Sequence, residues 1–108
     1  MSTTPTPPES EIHDALVDLW VRREPRIRAE LVELRELVLA APEQAQLERA
    51  KTIAHDLAGL CGVFGHTSAS ESAREFELLV SQTPTAIEIH HLLLLINAME
   101  RQLFGGSA

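Results

Sequence analysis

Residues 47–65 read LERAKTIAHDLAGLCGVFG, and their apolar members decide the fold. Leu47, Ala50, Ala54, Leu57, Cys61 and Phe64 recur in unbroken steps of three and four. That spacing lines side chains along one side of a helix, which has about 3.6 residues per turn. A helix with one apolar stripe is stable only when other elements cover it. Candidates lie on both sides in the sequence. Upstream, Ile27, Leu31, Leu34 and Val38 repeat the spacing, with Glu30, Glu33, Arg35 and Glu36 between them as a solvated face. Downstream, Ala69, Ala73, Phe76 and Val80 make a third stripe, and Ile89, Leu92, Leu93, Ile96, Met99 and Leu103 a fourth and last one. Ser68 with Glu71, and Thr85 with Glu88, have the spacing of capping boxes at helix starts.

Short connections between amphipathic helices favour antiparallel neighbours. The expected fold is therefore all-α, an antiparallel up-and-down four-helix bundle with a short additional N-terminal helix. That extra helix carries Ile12, Leu16, Leu19 and Trp20 and caps one end of the bundle. Pro25 either opens the second helix from its first turn or kinks a longer one. Residues 1–9, rich in Pro and Thr, read as a disordered leader, 10–104 as the bundle and 105–108 as a disordered tail.

Composition removes several function classes. Sixteen acidic residues outweigh nine basic ones, for a net charge of −7. That balance opposes nucleic-acid binding and anionic membrane surfaces, both of which need a basic face. No apolar run approaches a membrane span of roughly 18–20 residues. The lone Cys61 permits no internal disulfide and fits a reducing, cytoplasmic setting. With 108 residues, the chain has little room for an enclosed active site.

Within the deciding stretch, His55 points about 130–140° away from the centre of the apolar stripe and so faces solvent or a partner. Lys51 and Thr52 lie one turn before it, Ala58 and Gly59 one turn after, and Gly62 a turn further. Gly65 serves as a helix terminator. Gly59 and Gly62 are interior, and each costs about 1 kcal/mol relative to Ala. Bare backbone beside an imidazole suits close approach by another protein.

At this point the sequence resembles the histidine phosphotransfer (HPt) family. His55, Leu57, Gly59 and Gly65 match its signature, and Ala73 and Glu77 fall where the family carries a small residue and a glutamate in the next helix. Asp18, Leu19, Trp20 and the Glu24-Pro25 step resemble its first helix. One departure stands out: the family's lysine after the leucine is Ala58 here. Lys51, one turn before His55, is the candidate replacement cation.

The resemblance implies a phosphorelay intermediate. His55 would accept a phosphoryl group from a receiver-domain aspartate through Nε2 and pass it to a response regulator. The implied partners are receiver domains and a sensor (hybrid) histidine kinase, with Lys51, Ala58, Gly59 and Gly62 near the phosphoryl group or the docked receiver. It implies no cofactor, no metal, no autokinase activity and a monomer. An adaptor that binds receivers without transfer, and a kinase-type dimeric phosphotransferase, are the alternatives. The latter usually has a proline five residues after its histidine, where this chain has Leu60.

Other residues read more plainly. Cys61 lies on the buried stripe as a small hydrophobe. His55, Cys61 and His66 match no zinc spacing. His90 and His91 read as a partly buried helix edge, His13 as an exposed first-turn residue, and Trp20 as core or end-cap. Arg22, Arg23, Arg26 and Arg28 read as a solvated face bridging to nearby glutamates.

Overall fold

The computed structural model describes residues 8–40, 43–81 and 86–105. They form four helices, α1 (Pro8–Leu39), α2 (Gln44–Val63), α3 (Thr67–Val80) and α4 (Ala86–Phe104). Each helix touches two neighbours in a ring, α1 against α2 and α4, and α3 against α2 and α4. That closed arrangement is the expected bundle.

The expected short N-terminal helix is not a separate element. α1 runs for 32 residues straight through Pro25. A proline inside a helix removes one i→i−4 bond and costs about 3 kcal/mol, so something must hold both flanks. After Pro25, Ile27, Leu31, Leu34 and Val38 are all buried in the core. Before it, the Trp20 ring packs 5.4 Å from Phe64, 4.2 Å from His66 and 6.3 Å from Phe104, centroid to centroid. Trp20 thus closes one end of the bundle. Helix α1 begins at Pro8, inside the expected leader, whose residues 1–7 lie outside the described residues, as do 106–108 of the tail.

The core follows the four stripes, with additions at their edges. Ile53, Ala58 and Leu95 are buried although the stripes omit them, and Phe64 is only half-buried. A bundle helix touches two neighbours, so its buried arc is wider than one line of residues. The helix caps also differ. α3 starts behind His66 with no side-chain cap, so the Ser68–Glu71 box does not form. A reciprocal bond appears instead at α2, where the Glu43 amide donates to Gln46 Oε1 at 3.1 Å. Thr85, of the other expected box, lies outside the described residues.

Burial pushes the Cys61 thiol up to about 11, so at neutral pH it stays protonated and inert. An unfolded thiol ionises at its ordinary, lower value. Between that value and about 11, the fold loses stability as pH rises. Iodoacetamide in mildly alkaline buffer is expected to leave native Cys61 unmodified and to label it in denaturant, as read by mass spectrometry.

Candidate functional site

The site begins with a turn. The amide of Gly65 donates to Gly62 O at 3.2 Å and that of His66 to Cys61 O at 2.8 Å. This pair of bonds is a Schellman motif, which needs a left-handed residue at its centre, and Gly65 supplies it with a φ of +79°. The chain reverses there, so α3 returns along α2. Ser70, buried against α2, donates its hydroxyl to Ala58 O at 2.7 Å. That contact fixes the register of the two helices. His55 stands ten residues before Gly65 and Glu77 twelve after it, and the register brings them together.

Glu77 holds the imidazole. Its two carboxylate oxygens lie 3.2 and 3.1 Å from His55 Nδ1. A carboxylate oxygen accepts, so Nδ1 carries the proton and donates it to Glu77. The neutral ring then has its lone pair on Nε2. The His55 side chain is 72% exposed while that of Glu77 is 24% exposed, so the ring stands outward over a partly sheltered carboxylate. The arrangement can present a fixed nitrogen nucleophile to an incoming electrophile. It can also balance positive charge that develops on the ring as Nε2 reacts.

The surroundings of His55 are bare on one side. A Cβ added at Gly59 would meet no atom within 4 Å, so packing within this chain does not require the glycine. A Cβ at Gly62 would lie 3.6 Å from Ser70 Oγ, an ordinary contact. Both glycines are exposed on the His55 face, and Lys51 sits half-buried one turn earlier. Ala58 is different. It is only 4% exposed, with α3 packed over it through Ser70, so of the four residues expected near the phosphoryl group or the docked receiver it presents the least surface. Glu77 was legible only as a family position, and its partnership with His55 follows from counting outward from Gly65.

The remaining polar candidates do not converge on this site. His91 and His90 are exposed, not partly buried, and His91 Nε2 lies 3.4 Å from Glu75. His66 packs on Trp20. Arg22 pairs with Asp18 at 2.8 Å, Arg26 with Glu30 at 3.2 Å, and Arg28 stacks 3.9 Å over the Phe104 ring. Arg49 and Glu33 form a two-pronged pair that holds the Glu33 carboxyl below its ordinary range. Among the described residues, no three His, Cys, Asp or Glu side chains gather as a metal site.

A family model described as the Hpt domain matches residues 16–102. No curated protein and no solved structure matches the chain.

Two measurements check this geometry. Gly59→Ala is expected to stabilise the fold by about 1 kcal/mol in urea denaturation, the helix-propensity gain with no steric loss. Nitrogen-15 shifts of the His55 ring are expected to report the Nδ1–H tautomer in the native protein and its loss in Glu77→Ala.

Proposed function

The chain belongs to the Hpt domain family, and on that premise we propose that His55 is the phospho-accepting residue of a phosphorelay intermediate. Membership ties the protein to histidine phosphotransfer between receiver domains and kinases, as a phosphocarrier module. The finer reading is that a receiver-domain aspartyl phosphate supplies the group and a response regulator removes it. The observation that carries it is the exposed His55 ring, tethered through Nδ1 to Glu77 beside the open backbone of Gly59.

The chemistry needs little from this chain. Phosphoryl transfer is largely positioning and electrostatics. The Nε2 lone pair attacks the aspartyl phosphorus in line, an N–P bond forms, and the P–O bond to the aspartate breaks. The carboxylate leaves with the bonding pair. The proton on Nδ1 stays in its bond to Glu77, whose negative charge offsets that gained by the ring. Transfer to the regulator runs the same steps in reverse. The receiver brings the catalytic groups that stabilise the moving phosphoryl, so no autokinase machinery and no cofactor is needed here.

Docking follows from the same face. Gly59 and Gly62 let a receiver helix approach the imidazole closely, and Lys51 supplies the cation that Ala58 does not. One chain provides all four helices and the whole site, so the reaction itself needs a single copy. A kinase-type phosphotransferase assembles its four helices from two chains, and that reading loses its ground here. No helix among the described residues is long and apolar enough to cross a membrane. We assign the protein to the cytoplasm with its receivers, with no nucleic-acid or membrane partner.

The alternative is an adaptor that binds receivers without carrying phosphate, and the missing lysine at Ala58 favours it. Labelled phosphoryl transfer from purified phosphorylated receivers separates the two. Label that is acid-labile and alkali-stable, and that His55→Gln abolishes with the fold intact, is the expected result; binding without label from any receiver of the host would establish the adaptor. Lys51→Ala is expected to slow transfer or shorten the phosphohistidine lifetime. Glu77→Ala is expected to slow transfer by up to about a hundredfold through loss of ring alignment, with Glu77→Gln restoring part of it. Gly59→Gln is expected to abolish receiver binding without destabilising the bundle.

A further inference from the structure

The two ring nitrogens of an imidazole point in nearly opposite directions, so holding one aims the other. Glu77, on α3, holds Nδ1 of His55. Nε2 is therefore aimed away from α3, outward and toward the α1 side of α2. Helical geometry names what lies there. Around α2 from His55, Gly59 comes at about 40° and Asp56 at about 100°, while Ala58, under α3, comes at about 60° the opposite way. A phosphoryl donor in line with Nε2 sits over Gly59 and the seam between α2 and α1.

That seam is open. It holds a hollow of about 180 Å³ lined by Arg23, Arg26, Ile27, Glu30, Asp56 and Leu60. The floor is apolar, with Ile27 in the core and Leu60 half-buried, and the rim is charged. Arg26 is taken by Glu30 at 3.2 Å, and neighbouring Arg22 by Asp18 at 2.8 Å. Arg23 is exposed and has no ion-pair partner among the described residues. A guanidinium presents a fork of donors that matches a carboxylate or a phosphate. In a chain of net charge −7, this one stands unused beside the nucleophile's open side.

We propose that Arg23 is a docking and specificity-determining residue, and that it and the hollow beside it form the α1 half of the receiver's footprint. The proposal rests on the reading of His55 as phospho-acceptor. A phosphoryl group arrives with negative charge, which the acidic chain as a whole repels and Arg23 attracts. A carboxylate on the receiver's docking surface pairs with the Arg23 fork, and an apolar side chain next to it fills the hollow over Ile27 and Leu60. Arg23 thus acts on encounter and binding, not on the transfer step. Arg74 is also exposed and unpaired. It lies on α3 one turn before Glu77, on the far side of the ring, and stays outside the footprint.

Transfer kinetics of the full chain test this, using the phosphorylated receiver that labels the wild type fastest. Arg23→Glu is expected to lower the second-order transfer rate constant at least about tenfold at low salt, with the rate at saturation unchanged. The deficit shrinks in about 1 M salt, where charges are screened beyond roughly 3 Å. Arg74→Glu is expected to stay within about twofold of the wild type, as an exposed charge away from the contact does. Phosphoramidate, a small phosphodonor that needs no docking, is expected to label His55 equally in all of them. If Arg23→Glu does not fold by circular dichroism, Arg23→Ala gives the same comparison with a smaller loss. An Arg23 variant that accepts label from the receiver like the wild type overturns the proposal and leaves the relay reading standing. So does an Arg74→Glu variant that loses as much as Arg23→Glu. A wild type that phosphoramidate labels and no receiver does overturns the relay reading, and the docking proposal falls with it.

Discussion

Gly65 takes a φ of +79° at the end of α2, a conformation that side-chain-bearing residues adopt only with strain. Its amide and that of His66 then close the last turn of α2 and send the chain back along the same helix. Every feature of the candidate site inherits its position from that reversal. The register of α3 on α2 decides that Ser70 reaches the Ala58 carbonyl and that Glu77 reaches His55. A residue more or fewer in this turn would rotate α3 by about 100° and separate the carboxylate from the ring.

The site is economical because its groups divide the work between two helices. α2 carries the imidazole and the bare backbone beside it, and α3 carries the carboxylate that meets Nδ1. Small residues let the two helices approach closely, with Ala54, Ala58, Ala69 and Ala73 all buried. The same closeness explains why position 58 serves packing.

Helix α1 has two halves with different surroundings. Beyond Pro25, Ile27, Leu31, Leu34 and Val38 are buried while Val32 and Leu39 stay exposed, and before it Ile12, Val17, Leu19 and Val21 are exposed. Trp20 is the boundary, held by Phe64, His66 and Phe104. The helix persists through the proline because tertiary contacts anchor both flanks.

Helical periodicity, which is a local property, was sufficient to fix the number of core stripes, the all-α class and the outward direction of His55. Interior glycines that no helix would choose, Gly59 and Gly62, pointed to the candidate face in the same way. Pro25 misled because a proline's local cost is visible in sequence while the contacts that offset it, through Trp20 and Ile27, come from residues far along the chain. The burial of Ala58 and the pairing of Glu77 with His55 depend on how two helices are set against each other, and no spacing within either helix encodes that. Local spacing determined which side chains share a face; only the packing of one face on another decided which of them meet.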